Sequence, residues 1–279
     1  MNAPVGWRFA AASVTGSSHT KLGTPCQDCA MTKVFFDGAG REILVVVLSD
    51  GAGSAARAEF GSSLACSTIT EAAEVHFAAG GTIGEISQQT AKLWLSMVRQ
   101  AISNRAQDDS AAFKDYACTL LVAVIADDSA AMLQIGDGAI VVDNGDGWTW
   151  VHWPQRGEFA NTTYFVTDDG AETQMAFDNC RGRIEELAAF SDGIEPLVMQ
   201  YATQTVFEPF FDKMFPAVRA LPENGLDEKL SEALAKYLDS PAICQRTDDD
   251  KTLVLATRCP PNDAVQATKL RAQQREPNE

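Results

Sequence analysis

Nowhere does this chain run for about twenty apolar residues, so no membrane-spanning helix is expected. Its N-terminus lacks a basic segment followed by an apolar stretch, so no signal peptide is expected and the simplest location is the cytoplasm. Positive charge is scarce: 22 Lys and Arg stand against 38 Asp and Glu, a net charge of −16. That argues against sequence-independent nucleic-acid binding, which needs clustered cations facing phosphates, and against docking to anionic membranes. A bound divalent cation would offset part of the excess locally. Histidine is rare, with 3 in the chain. A paired cysteine framework is also missing: the 7 cysteines are odd in number and irregular in spacing, which reads as reduced thiols. Cys26-Gln27-Asp28-Cys29 has the C-x-x-C spacing but no second pair or nearby histidines to complete a zinc site.

What remains is ordinary globular composition, 46% hydrophobic and 22% charged over 279 residues, enough for a sizeable core. No internal repeat or domain boundary is visible before residue 259, so 1–259 is expected to be one catalytic domain. Residues 260–279 turn polar after Cys259-Pro260-Pro261 and are expected to form a mobile tail.

Strand patterns fall at Trp7 to Val14, Met31 to Phe36 and Ile43 to Leu48, with a hairpin turn at Asp37-Gly38-Ala39-Gly40. Helical periodicity follows from about Ser54 to Ala78 and from about Ile83 to Ala106, broken at Gly80-Gly81. Cys118 to Ala126, Ala130 to Ile135 and Ala139 to Val142 read as a β-meander, with turns at Asp127-Asp128 and Gly136-Asp137-Gly138. Trp148 to Val151, Tyr164 to Thr167, Glu172 to Phe177 and Arg183 to Phe190 read as strands. Val206 to Leu221 and Leu226 to Tyr237 read as helices, and Thr252 to Thr257 as the last strand. Thr15 to Asp28 reads as loop. The order lacks the regular β–α alternation of a doubly wound sheet. It predicts an α+β fold, a four-layer αββα sandwich with two central antiparallel sheets flanked by helix pairs.

Acidic elements punctuate these strands: Ser49-Asp50-Gly51, Gly136-Asp137-Gly138, Ser191-Asp192-Gly193 and Asp248-Asp249-Asp250. Apolar runs lead into Asp50 and Asp192, and another leads out of Asp249 and Asp250. A carboxylate at a strand end faces the sheet rim, and several on one rim make a hard-oxygen site suited to Mg²⁺ or Mn²⁺.

Taken in order from Gln27-Asp28 to Asp249-Asp250-Lys251-Thr252, these elements resemble the protein phosphatase 2C family, the metal-dependent Ser/Thr phosphatases. The departures place the resemblance with a divergent bacterial branch. Asp50-Gly51 resembles the family's central D-G pair, whose Asp bridges two metals and whose Gly carbonyl binds one of them. Asp192 resembles the S-D-G ligand. Asp249 resembles the first Asp of D-N-x-T, with Asp250 at the usual Asn position, so the choice between Asp249 and Asp250 stays open. Gln27-Asp28 resembles the (E/Q)-D pair, which implies that Asp28 holds a metal-bound water and that the neutral Gln27 weakens the second metal site. Asp137 resembles the G-D-S Asp that joins a third, weaker metal site in some relatives. Cys118-Thr119-Leu120 matches a core strand segment and reads as packing, and Pro154 to Thr163 lies where the family carries its flap.

Two departures stand out. The Arg that grips substrate phosphate, four residues before the (E/Q)-D pair, is Gly23 here, and His19 and Lys21 are the nearby candidates to replace it. The His that follows the Asp-Gly pair in eukaryotic relatives is Ala52. The resemblance implies hydrolysis of phosphoserine or phosphothreonine on proteins by a water bridging two divalent metals, Mn²⁺ or Mg²⁺. Asp28 and His19 would be catalytic, and Asp50, Gly51, Asp192, Asp249 and Asp137 metal-binding. A phosphoprotein is the implied substrate and an opposing Ser/Thr kinase the implied partner. The missing Arg and the neutral Gln27 leave two alternatives open: a catalytically weak module that binds a phosphoprotein, and a hydrolase of small phosphate esters.

Overall fold

Residues 6–157 and 163–259 are described in this computed structural model. The expected tail at 260–279 and the centre of the expected flap, 158–162, lie outside the described residues. Along the chain run β1 (Gly6–Val14), a short helix α1 (Ser17–Leu22), β2 (Cys29–Phe36) and β3 (Glu42–Ser49). The helix pair α2 (Ala58–Ala78) and α3 (Gln88–Asp108) comes next. Then come β4 (Leu120–Ile125), β5 (Ser129–Ile135), β6 (Ala139–Asp143), β7 (Trp148–Trp150), β8 (Ala176–Arg181) and β9 (Glu186–Phe190). Helices α4 (Glu208–Arg219) and α5 (Glu228–Leu238) precede the last strand, β10 (Lys251–Cys259).

Two main antiparallel sheets result. One has the order β2-β3-β4-β5-β8; the other has β1-β10-β9-β6-β7, with the two residues Gly225–Leu226 added in parallel outside β1. The solid apolar runs follow from burial on both strand faces. In β3, Ile43, Val45 and Val47 pack under α2 and α3, while Leu44, Val46 and Leu48 face the space between the sheets. In β10, Leu253 and Leu255 face α4 and α5, and Val254 and Ala256 face inward. Helix ends follow side-chain chemistry: Ser87 caps α3 by accepting from Thr90 N–H, and Asp227 caps α5 by accepting from Leu230 N–H at 2.7 Å.

The four-layer expectation holds, and five local readings need correction. The segment expected to be loop from Thr15 to Asp28 contains α1, whose C-cap is Gly23 in a left-handed conformation. The second helix begins at Gln88 after a separate 3₁₀ turn at Ile83–Glu85, because the Ser87 cap starts a new element. Tyr164 to Thr167 is not a strand, and Ala171–Gln174 is a helical turn that delays β8 to Ala176. The expected meander breaks at Gly136-Asp137-Gly138: β5 lies in one sheet and β6 in the other. A tight turn and a crossover share glycine-rich sequence, and only the partner strand tells them apart. β6 pairs with β9 and β7, not with β5.

The layer between the sheets predicts its own sensitivity. Leu44 is fully buried there, so Leu44→Ala is expected to remove about 2–5 kcal/mol of unfolding free energy in urea titration, by lost transfer energy and the residual cavity. Leu22→Ala, at a site 77% exposed, is expected to change it by less than about 0.5 kcal/mol.

Candidate metal centre

Strand register brings the acidic residues together. Cys29 pairs with Ser49, so the residues just outside that pair, Asp28 before β2 and Asp50 after β3, sit side by side at the end of one sheet. In the other sheet, Ala139 pairs with Phe190 and Phe190 with Leu253. Asp137 before β6, Asp192 after β9 and Asp249 before β10 therefore gather at one end. These two rims meet at a pocket of about 510 Å³ whose wall includes Asp50, Gly51, Asp137, Asp192, Asp249 and His19.

Backbone clamps fix the rim. Asp50 N–H donates to Thr119 Oγ1 at 2.9 Å, and Thr119 N–H donates to the Asp50 carbonyl at 2.8 Å. Gly51 N–H donates to the Gln27 carbonyl at 3.1 Å. A Cβ on Gly51 would lie 2.8 Å from that carbonyl oxygen and from Ala58 Cβ, so only glycine fits. Ser191 Oγ donates to Asp28 Oδ2 at 2.7 Å and accepts from Thr252 N–H at 3.0 Å, which ties the two sheets at the site.

The electrostatics are those of crowded like charges. Burial pushes the Asp28 carboxyl up to about 6. Burial, then the charges of Asp137 and Asp249, pushes Asp192 up to about 8. Asp50 is raised well above its ordinary value by burial and by Asp28 and Asp192. Asp137 is raised by burial and by Asp249, with Arg156 opposing. Asp28 Oδ1 and Asp192 Oδ1 are buried oxygens with no hydrogen-bond partner among the described residues. Unpartnered carboxylate oxygens, a pinned backbone carbonyl and mutual repulsion are what a hard divalent cation would relieve. Among the described residues no three His, Cys, Asp or Glu side chains close a metal shell by themselves. The rim is open, so water and the Gly51 carbonyl would have to complete any coordination.

Hydrogen bonding separates Asp249 from Asp250. Asp249 is exposed and lines the pocket. Asp250 is 2% exposed and faces away, accepting Gly16 N–H at Oδ1 and Gln27 N–H at Oδ2, both at 2.6 Å. Its Oδ2 also meets His19 Nδ1 at 2.9 Å. Of the two candidates for the missing Arg, His19 reaches the pocket and Lys21 is exposed on α1. Gly23, at the Arg position, has φ 71°, a conformation that disfavours any side chain. Ala52 is buried against Ala55, Ala58 and Ala117.

Sequence reading missed three contributors. Thr119, expected to be packing, is the clamp on Asp50. Ser191 anchors Asp28, and Asp250 anchors the N-terminal segment. The S-D-G and acidic-triplet patterns flag the last two as neighbours of candidate ligands but do not reveal their partners. The six cysteines with described side chains carry free thiols, as expected.

A sequence model of the family described as Protein phosphatase 2C matches residues 15–238. Serine/threonine-protein phosphatase 3 of Escherichia coli (strain K12) is 36% identical over 252 residues, covering 90% of this chain and 98% of that protein. The crystal structure of serine/threonine phosphatase Stp1 from Staphylococcus aureus matches the fold with a TM-score of 0.58 at 16% identity, over 92% of this chain and 96% of that one. The catalytic domain of the serine/threonine protein phosphatase PstP, in complex with two manganese ions, matches with a TM-score of 0.55 at 18% identity, over 91% and 99%.

The raised carboxyls set a pH dependence. Between the ordinary value of 3.8 and about 8, the folded metal-free protein holds a proton on Asp192 that the unfolded chain has released. Stability is therefore present in full below that window and is lost as pH rises through it. The melting temperature of metal-free protein is expected to fall between about pH 5 and about pH 8, and excess Mn²⁺ or Mg²⁺ to restore it at the upper end by binding the folded state. A calorimetric profile that rises over this interval, or that ignores both metals, contradicts the arrangement.

Proposed function

The chain belongs to the protein phosphatase 2C family and is a protein serine/threonine phosphatase, and we propose that it works through two divalent cations, Mn²⁺ or Mg²⁺. Asp50, the Gly51 carbonyl, Asp192 and Asp249 would hold them, and Asp137, beside Asp192, would add a third, weaker position. The observation that carries this reading is the ring of carboxylates that strand register forces onto one rim, two of them with buried oxygens that have no partner among the described residues.

Bound cations supply Lewis acidity, making water more acidic and offsetting charge on the phosphoryl oxygens. The chain's own residues position the reactants. Asp28 Oδ2 is fixed by Ser191 Oγ, which leaves Oδ1 to orient the attacking water. The Thr119 clamp keeps Asp50 at the strand end, and the tight packing around Gly51 holds its carbonyl in place. His19 also lines the pocket, where it would face the phosphate and its leaving oxygen. Direct attack by water needs no covalent enzyme intermediate. In keeping with that, Ser18 on the pocket wall already donates its hydroxyl to the Asp248 carbonyl at 2.6 Å.

The substrate in this proposal is a phosphoserine- or phosphothreonine-bearing protein, with a Ser/Thr kinase acting in opposition, in the cytoplasm. The net charge of −16 favours neither nucleic acid nor an anionic membrane. No helix among the described residues is long and apolar enough to cross a membrane.

Phosphate release from a phosphothreonine peptide and from p-nitrophenyl phosphate, with Mn²⁺, Mg²⁺ or EDTA, tests the reading. Turnover is expected with either metal and not with EDTA. Asp192→Asn is expected to lower it by more than ~100-fold, beyond the loss typical for an outer metal-shell partner. The same variant should stay folded and lose the melting-temperature drop of the metal-free protein at high pH, since it removes one of the crowded charges. Full turnover in Asp192→Asn at saturating metal contradicts the ligand assignment. Absence of turnover by folded wild-type protein points instead to a phosphoprotein-binding module.

A further inference from the structure

We propose that His19 and Asp250 form a dyad in which the carboxylate fixes the imidazole and Nε2 delivers a proton to the departing serine or threonine oxygen. This deepens the phosphatase reading and rests on it. His19 lies in α1, and its Nδ1 is 2.9 Å from Asp250 Oδ2. A carboxylate only accepts, so Nδ1 is the protonated, donating nitrogen and Nε2 is the nitrogen turned to the pocket. That direction is marked by Gly53, where a Cβ would lie 3.9 Å from Nε2. Among the described residues Nε2 has no hydrogen-bond partner.

Asp250 is built to hold this orientation. It is 2% exposed, and its two oxygens also accept Gly16 N–H and Gln27 N–H. Ser18 N–H donates to the Asp248 carbonyl at 2.9 Å, so α1 is docked on the acidic turn at a second point. The imidazole thus sits between a buried carboxylate and the open pocket, an arrangement that fixes the ring and which nitrogen faces the substrate. Asp250 touches no substrate; it is a positioning residue, and His19 is the catalytic one.

The step balances simply. The bond from phosphorus to the serine or threonine oxygen breaks, and its electron pair stays on that oxygen. The Nε2–H bond of the imidazolium breaks, its proton joins the oxygen to give the alcohol, and neutral His19 regains a proton from solvent. An alkoxide leaves poorly without that proton, whereas p-nitrophenolate leaves readily with none.

Leaving-group dependence therefore decides the matter. His19→Gln and Asp250→Asn, assayed with Mn²⁺, are expected to lose roughly a hundredfold more kcat on a phosphothreonine peptide than on p-nitrophenyl phosphate. Equal losses on both substrates, or a change confined to KM, overturn the dyad while leaving the phosphatase reading intact. A wild-type protein inactive on both substrates refutes the phosphatase reading itself. Asp250→Asn also strips the acceptor from a buried N–H and can fail to fold, so a second readout uses metal-free wild-type protein. Nitrogen-15 spectra of its His19 ring are expected to show Nδ1 protonated in the neutral form; a neutral ring protonated at Nε2 instead overturns the proposal.

Discussion

Carboxylates repel, and this fold is organised around forcing five of them onto one rim. Nothing local favours that crowding. Asp28, Asp50 and Asp192 each have raised pKa values because burial and neighbouring acids disfavour charge there. The opposing free energy comes from the layers on either side. Leu44, Val46 and Leu48 between the sheets, and Ile43, Val45 and Val47 under the helices, hold β3 so firmly that its terminal Asp50 has no freedom to swing away. A cation at the rim would convert the repulsion into attraction, so the part of the fold where like charges crowd is the part best suited to bind one.

Neighbouring acids divide the labour. Asp249 is exposed at the pocket and free to meet a ligand, while Asp250 turns inward and accepts two backbone N–H groups and an imidazole. Both precede the strand that begins at Lys251, and their different partners send the two side chains to different sides. Asp250 thereby joins the last strand to the segment from Gly16 to Gln27, and Ser191 makes a second tie through Asp28. Both ties cross long stretches of chain. The centre closes only when the N-terminal segment and β10, at opposite ends of the sequence, are both in place.

The phosphate-gripping Arg is replaced by a turn. Gly23 ends α1 in a left-handed conformation that an Arg would resist, and α1 itself puts His19 on the pocket wall.

By itself the sequence determined the layers and the acidic set. Short apolar runs such as Ile43 to Leu48, bounded by turn residues, read as strands buried on both faces, and Asp50 and Asp192 stand at the ends of such runs, so the αββα class and the acidic residues at the strand ends were legible. Tertiary structure alone decided the rest. Gly136-Asp137-Gly138 reads as a hairpin turn but is a crossover between sheets, because its meaning depends on β9 lying beside β6. Thr119 reads as core and proves a clamp, because its hydroxyl finds Asp50 N–H, 69 residues away in sequence. Asp249 and Asp250 are chemically alike, and only the approach of Gly16, Gln27 and His19 tells them apart. Periodicity encodes which face of a strand is buried; it carries no information about which distant donor will arrive at its end.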